Sequence, residues 1–150
     1  MTILFSEPTF NSPSGRLVFD VYHQGKLIEH FDEQNLIVDS SKQLHAQLLG
    51  GNVTNHSVTK IGFGTNGTSP VIANTLLTTP FIKAVDTINY PATNSVGFVF
   101  SLSSSENNGM AISEFGLLTT NNTLYARKVR LTTLPKTVDI SLSGIWIITF

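Results

Sequence analysis

The acidic residues best placed to do chemistry in this sequence are Glu106 and Glu114. A glycosidase needs two carboxyl groups, of which one donates a proton while the other attacks the sugar or activates water. Eight residues and a polar segment separate these two glutamates, so the spacing fixes no distance between them. No G-x-S-x-G nucleophile elbow of a serine hydrolase is present either. We predict no catalytic residues, and the chain is not expected to be an enzyme.

The histidines also lack a pattern that would bind a metal ion. No two of them are spaced i, i+3 or i+4 on a predicted helix, where they could share a ligand. His30 has acidic neighbours, but the alternation of a strand would direct those side chains to opposite faces. Cysteine is absent, which removes thiolate ligands, disulfides and cysteine nucleophiles. We predict no metal site.

Residues 62–67, Gly-Phe-Gly-Thr-Asn-Gly, match the G-x-G-x-x-G pattern of dinucleotide-binding proteins and follow a strand-like run. That pattern binds pyrophosphate only where a helix N-terminus follows the glycines directly. Here Thr68-Ser69-Pro70 follows, without helical periodicity. The motif therefore indicates a glycine-rich loop, and no cofactor is predicted.

Basic residues are densest at Arg127, Lys128 and Arg130. Strand alternation places Lys128 and Arg130 on one face and Arg127 on the other. Two interpretations stay open for this cluster. The side chains are either solvated or paired with Glu114 across a hairpin, or they contact an acidic neighbour in an assembly. These four residues are the candidate contact residues, within the hairpin or between subunits.

The elements that position these residues are predicted to be β-strands. Asn107–Arg130 shows two apolar runs separated by Thr119-Thr120-Asn121-Asn122-Thr123, which indicates a hairpin. Further strand patterns cover residues 16–22, 26–31, 35–38, 58–63, 81–90 and 96–102. One helix is predicted after an N-cap at Ser40, with Leu44, Leu48 and Leu49 apolar and Gly50-Gly51 ending it.

The strongest alternation lies in the last predicted strand, where Val138, Ile140, Leu142, Trp146, Ile148 and Phe150 share one parity. Gly144 interrupts this series and is a candidate bulge or bend. Trp146 is expected in the core. Short strands separated by turn signals predict an all-β antiparallel β-sandwich with one short α-helix. Residues 1–14, which contain Pro8 and Pro13, are predicted to form an N-terminal arm, and residues 15–150 a single β-sandwich domain.

Composition narrows the functional classes. The 150 residues carry a formal net charge of −1, and only 13% are charged, about half the usual share. Without a basic run there is no sign of nucleic-acid binding. No apolar run approaches the ~20 residues of a membrane span, and the N-terminus does not match a signal peptide, which favours cytoplasmic synthesis. Low charge suits a subunit that packs against neighbours, because charged residues are depleted at interface cores, and a monomeric sandwich can show the same composition.

Several segments, in order over residues 34–150, together resemble small bacteriophage and prophage virion proteins of the tail-fibre or baseplate-associated type. The matching segments are Asn35-Leu-Ile-Val-Asp39 with the Gln43–Gly51 helix end, Ile61-Gly-Phe-Gly-Thr65, Leu76-Leu-Thr-Thr-Pro-Phe81, Met110–Leu118, Leu124-Tyr-Ala-Arg127, Lys136-Thr137 and Ile140–Phe150.

The resemblance implies a structural component of a phage tail, baseplate or fibre attachment, without catalytic residues. It implies a homo-oligomer whose partners are other virion proteins, assembled in the bacterial cytoplasm. Two alternatives stay open beside it. One is a receptor- or carbohydrate-binding module of a fibre, with a host receptor as its partner and Tyr22, Tyr90 or Trp146 as stacking surfaces. The other is a head decoration or collar protein.

Overall fold

The structure, a computed structural model, describes residues 12–150. The described chain contains nine strands and one helix. Their bounds are β1 Ser14–His23, β2 Lys26–Ile37, α1 Ser40–Leu49, β3 Val58–Gly64, β4 Phe81–Ala84, β5 Thr87–Ala92, β6 Ser95–Leu102, β7 Ala111–Thr119, β8 Leu124–Pro135 and β9 Ile140–Thr149. The predicted N-terminal arm falls almost wholly on residues 1–11, outside the described part, and Ser14 already belongs to β1. No helix in residues 12–150 has the length and apolar character needed to cross a membrane.

All strand pairs are antiparallel and form one sheet in the order β4-β3-β7-β8-β2-β1-β9-β6-β5. The predicted all-β class with one short helix is confirmed. The predicted sandwich is not confirmed, because the strands belong to a single sheet that curls into a half-barrel. The sheet is continuous because β2 pairs with two strands. It pairs with β1 between Lys26 and Asn35, and its last two residues pair with β8, at Leu36–Arg127 and Ile37–Ala126. That short pairing joins the two halves of the sheet.

The core fills the concave face of the curled sheet. Phe19 of β1 stacks on Phe31 of β2 and lies 4.9 Å, centroid to centroid, from Phe115 of β7. Phe63 of β3 reaches Phe100 of β6 across the opposite side of the curl, at 6.3 Å. Strands that are far apart in the sheet order therefore contact each other through aromatic rings. Burial of these rings stabilises the fold together with the aliphatic side chains of the same core.

Strand β9 lies in the middle of one half of the sheet, between β1 and β6. The predicted parity is confirmed for Ile140, Leu142, Trp146 and Ile148, which are buried, and Trp146 is fully buried in the core. Val138 precedes the strand and is exposed. Gly144 is not a bulge, because β9 keeps one register along both of its neighbours. Its partners in the two ladders are Phe19 and Phe100, and a Cβ atom here would overlap the Val18 carbonyl oxygen and lie 2.5 Å from the Phe19 Cβ.

The predicted hairpin between β7 and β8 is confirmed, with Asn122 in the left-handed region (φ 68°) at its turn. Two details of the helix were wrong. Asp39, not Ser40, occupies the N-cap without a side-chain cap, because the Ser40 hydroxyl donates to the carbonyl oxygen of Leu124 in β8. Leu49 is exposed, since α1 packs against β8 and buries the face that carries Ser41 and Leu44. The predicted strand at 35–38 is the end of the long strand β2.

Candidate functional site: an ion pair beneath the 65–80 loop

Residues 65–80, which connect β3 to β4, lie across the outer face of the sheet and will be called the 65–80 loop. Leu77 of this loop packs against Leu118, Leu124, Val38 and Ile82 in a small second core. Gly62 and Gly116 make that approach possible. A Cβ atom at Gly62 would lie 2.7 Å, and one at Gly116 2.9 Å, from a methyl carbon of Leu77. The loop is thus packed onto the sheet.

Glu114 and Arg127 form an ion pair between this loop and the sheet. Glu114 lies on β7 and Arg127 on the adjacent strand β8. Arg127 pairs directly with Gly116, two residues along β7 from Glu114, so both side chains lie on the face that carries Leu118. Arg127 Nε donates to Glu114 Oε2 at 2.7 Å. The side chains are 2% and 0% exposed respectively. A charged pair removed from water in this way requires hydrogen bonds to its remaining polar atoms.

The loop supplies those hydrogen bonds. Glu114 Oε1 accepts from the backbone N–H groups of Thr78, at 2.6 Å, and Asn66, at 3.3 Å. Arg127 donates from Nη2 to the carbonyl oxygen of Asn66 and from Nη1 to Asn74 Oδ1. Among the described residues, no buried side-chain nitrogen or oxygen lacks a partner. The loop is therefore fixed at its start, middle and end by one ion pair.

The glycine motif at 62–67 serves this arrangement. Gly62 and Gly64 lie two residues apart on β3 and so face the same side of the sheet. At Gly64 a Cβ atom would overlap Glu114 Oε1 and lie 2.9 Å from the carbonyl oxygen of Thr78. No helix follows Gly67. The spacing that matches a nucleotide fingerprint instead leaves room for the loop and the buried carboxylate.

Lys128 and Arg130 lie on the other side of β8 and connect it to β2 where the two backbones do not pair. Lys128 Nζ lies 3.1 Å from Glu33 Oε1, and Arg130 makes a two-point contact with Glu29 at 3.0 and 3.1 Å. The Arg130 guanidinium also lies 5.7 Å from the ring centroids of Phe19 and Phe31, within cation–π range. All four candidate residues thus have partners within this chain.

The surface of the 65–80 loop is apolar where it faces solvent. Val71 and Ile72 are about half exposed, and Leu76 is 77% exposed. Asn74 Oδ1 accepts from the Val71 N–H, and the Ile72 carbonyl accepts from the N–H of Asp39 at the start of α1. The backbone that carries these three side chains is therefore held in place while the side chains project outward.

The carboxylates considered for catalysis lie in separate hydrogen-bond networks. Glu106, in the β6–β7 connection, accepts from the Ser103 N–H and from Lys83 Nζ, each at 2.9 Å. The Ser103 N–H, with Lys83, holds the pKa of Glu106 below its usual value. A lowered pKa is unsuited to a general acid at neutral pH. No group of three or more potential metal ligands clusters within residues 12–150.

A second surface feature was not predicted from the sequence. It is a groove of about 620 Å³ where the open end of the half-barrel meets α1, and it will be called the apolar groove. Its walls include Leu48 of α1, Val58 of β3, Ile88 and Tyr90 of β5, Tyr125 of β8 and Phe150. None of its lining residues is Asp, Glu, Lys or Arg. Sequence periodicity gave no signal for it, because its lining residues come from one helix, five strands and a turn.

Two of the polar side chains that line the groove, a histidine and a tyrosine, form a hydrogen bond with each other. His45 Nε2 lies 2.8 Å from the Tyr125 hydroxyl, and the His45 ring contacts the edge of Phe150. Burial lowers the pKa of His45 and raises the pKa of Tyr125 to about 12. Both side chains are therefore neutral at neutral pH, like the other side chains that line the groove.

No protein-family model, curated protein or solved structure matches this chain.

Proposed function

We propose that this chain is a structural subunit of a bacteriophage virion, in a tail, baseplate or fibre attachment, and that it acts through contacts between subunits. The virion assignment rests on the ordered set of sequence segments over residues 34–150 that resembles such proteins. The proposed role in subunit contacts rests on one structural observation. The 65–80 loop is fixed by a buried ion pair, yet it exposes Val71, Ile72 and Leu76 to solvent.

An immobilised loop with apolar side chains suits a binding surface for two physical reasons. Burial of apolar area on association is favourable. A backbone that is already ordered loses little conformational entropy when it binds. The chain also uses many of its cations internally, at Arg16, Lys83, Arg127, Lys128 and Arg130. Contacts with neighbours are then left mostly to uncharged polar and apolar groups, as at the centre of stable interfaces.

The two halves of the sheet are also inferred to act as the two layers of a β-sandwich. Only the Leu36–Arg127 and Ile37–Ala126 pairs join them, and the contacts Phe19–Phe115 and Phe63–Phe100 fill the space between them. This arrangement supports a rigid body whose outer faces are available to neighbours.

The proposal is tested on particles and on the isolated protein. Mass spectrometry of purified phage particles should detect the chain in a tail or baseplate sub-assembly, and light scattering should show a multimer or co-assembly with virion proteins. Leu76→Asp should reduce incorporation into particles strongly without unfolding the chain. Ser69→Asp, which adds the same charge to an exposed position of the same loop, is the matched control. A stable monomer that is absent from particles would refute the proposal.

A receptor- or carbohydrate-binding module is the second candidate. Trp146 is fully buried and offers no surface to a sugar, whereas Tyr90 is 77% exposed at the rim of the apolar groove. Binding on a glycan array that Tyr90→Ala abolishes and Tyr22→Ala preserves would favour this function. A head decoration or collar protein is distinguished by the sub-assembly in which the chain is found.

A further inference from the structure

The apolar groove is suited to an apolar, uncharged occupant. Its volume of about 620 Å³ lies within the about 300–1,000 Å³ of pockets that bind ligands. Ile88 and Tyr90, on its rim, are exposed, and no lining residue is charged. An occupant that buries apolar side chains here would gain the free energy of removing both surfaces from water. A charged or strongly hydrated occupant would lose hydration without finding a charged partner.

The start of the described chain lies beside this groove. Ser14 of β1 pairs with Thr149 of β9, and Thr149 pairs on its other side with Ser95 of β6. The next residue, Phe150, donates its N–H to the carbonyl oxygen of Asn94 and lines the groove. The chain that precedes Ser14 is therefore attached at the edge of the groove.

The sequence that precedes this point has the composition the groove requires. Residues 1–11 read MTILFSEPTFN, with the apolar run Ile3-Leu4-Phe5 and with Glu7 as their only charged side chain. An extended chain covers about 3.3–3.6 Å per residue, so Phe5 can lie up to about 25 Å from Ser12. That reach is sufficient for a groove on an adjacent molecule.

Proline favours an adjacent molecule over the segment's own groove. Ser12 precedes Pro13, which disfavours a helical conformation at Ser12, and Ser14 already pairs with Thr149, so β1 is entered from beyond the end of the sheet.

We propose that the apolar groove binds residues 1–11 of a neighbouring copy of this chain, with Ile3, Leu4 and Phe5 as the anchoring side chains. This inference deepens the proposed function, because it names the contact that would join subunits of a homo-oligomer. Each copy donates one segment and accepts one, so the contact either closes into a symmetric dimer or ring or continues along a filament.

The first test changes the donor and the acceptor separately in the full-length chain. The triple substitution Ile3→Asp, Leu4→Asp and Phe5→Asp should shift the multimer to monomer in light scattering. So should Ile88→Glu with Tyr90→Glu, two positions exposed enough to accept charge without unfolding. The matched controls are Thr2→Asp with Ser6→Asp for the segment and Ile28→Glu for the sheet surface. Both controls should remain multimeric.

The second test measures binding directly. A fluorescein-labelled peptide of residues 1–11 should bind the triple-Asp chain, whose own segment is disabled. It should bind at least tenfold more weakly when the Ile88→Glu and Tyr90→Glu substitutions are added. No binding of the peptide, or equal binding with and without those substitutions, would overturn the proposal. A co-purified small molecule that fills the groove and prevents the peptide from binding would also overturn it.

The third test uses the absence of native cysteine to decide which copy donates the segment. A tagged Leu4→Cys chain is mixed with an untagged Ile88→Cys chain and oxidised. A mixed disulfide between the two chains is expected, whereas Leu4→Cys with Ile28→Cys should give none. A disulfide that forms only within one chain carrying both substitutions would overturn the assignment to a neighbour.

The outcomes for this contact and for the virion role are separable. A chain that is present in particles but shows no peptide binding retains the proposed function and loses this inference. A multimer that is joined through the groove but is absent from particles retains this inference and loses the proposed function.

Discussion

At the scale of single residues, the most informative feature is the position of the charged groups inside the molecule. Glu114 and Arg127 lie buried under a loop and satisfy each other's charge, while Lys128 and Arg130 connect two strands that the backbone leaves apart. A buried pair contributes little net stability compared with apolar residues of the same size, but removal of one partner is costly. Its value here is that it fixes one loop conformation.

Glu114→Gln is expected to destabilise the protein by about 3–5 kcal/mol, because it leaves the Arg127 guanidinium buried without a counter-charge. The urea unfolding midpoint measures this effect. The joint replacement Glu114→Leu with Arg127→Met should recover more than half of the loss. Asp32→Asn, which removes an exposed pair with Arg16, is the control and should change stability little. Equal losses for Glu114→Gln and Asp32→Asn would contradict the account.

His45 should make the protein less stable in mild acid. Burial lowers its pKa in the folded state below the 6.5 of the unfolded chain, so the unfolded chain binds more protons between those two values. The stability is complete above about pH 6.5 and falls as the pH drops toward the folded-state pKa. His45→Gln should reduce the difference in unfolding midpoint between pH 7.5 and pH 5.5. His23→Gln, at an exposed position, is the control. An unchanged pH dependence in His45→Gln would refute the assignment.

The sequence left two interpretations open for the basic residues of β8, of which one was a pairing with Glu114 across the hairpin. The structure brings Arg127 to Glu114, whereas Lys128 and Arg130 contact glutamates of β2. The sequence could not show that the Glu114–Arg127 pair is buried, because residues 65–80 have no periodicity from which their path could be predicted. The glycines at 62 and 64 were the sequence signal that another segment packs closely against this face of β3. Only the structure shows that this segment is the 65–80 loop and that it leaves no room for side chains there.

At the scale of the elements, strand β9 shows how a small residue permits the packing of large ones. Phe19 and Phe100 flank Gly144 from both neighbouring strands, on the concave face. Alternation identified β9 and its buried parity correctly, since period-two patterns depend only on which face is buried. A bulge and a close approach both favour glycine, so the sequence could not distinguish them.

Gly144→Ala is expected to destabilise the protein by about 1–3 kcal/mol or more, because the added methyl group would overlap the Val18 carbonyl oxygen and the Phe19 side chain. Thermal and urea unfolding measure the loss. Gly67→Ala is the matched control, since its Cβ would meet only Ser113 Cβ at 3.9 Å, and it should change stability by less than about 0.5 kcal/mol. Similar losses of stability at the two positions would show that close packing around Gly144 does not exclude a side chain there.

At the scale of the whole molecule, the sequence predicted an all-β fold with one helix. It did not predict that the strands form a single sheet curled into a half-barrel. Local patterns predicted the strands, the β7–β8 hairpin and the helix, which all depend on neighbouring residues. The sheet order depends on contacts between distant residues, such as β1 with β9 and β2 with β8. Short-range periodicity contains no information on those partners. The half-barrel and the apolar groove at its open end follow from that order.

The adjacency of β1 and β9 predicts that the chain tolerates circular permutation. Ser14 lies opposite Thr149, so a fusion of Phe150 to Met1 makes residues 1–13 a linker between neighbouring strands. New ends between Val53 and Thr54, in an exposed loop, should give a folded protein with a native-like circular dichroism spectrum and cooperative unfolding. New ends between Gly144 and Ile145, inside β9, should not. A folded product from the second permutant would contradict the central place of β9.

The central place of β9 also means that the sheet can be completed only at the end of translation. It is the last of the nine described strands to be translated, yet β1 and β6 both pair with it. Until β9 leaves the ribosome, each of those strands has an unpaired edge, and the aromatic rings on their concave faces lack one wall. A nascent chain stalled before Ile140 would therefore be a substrate for chaperones or proteases.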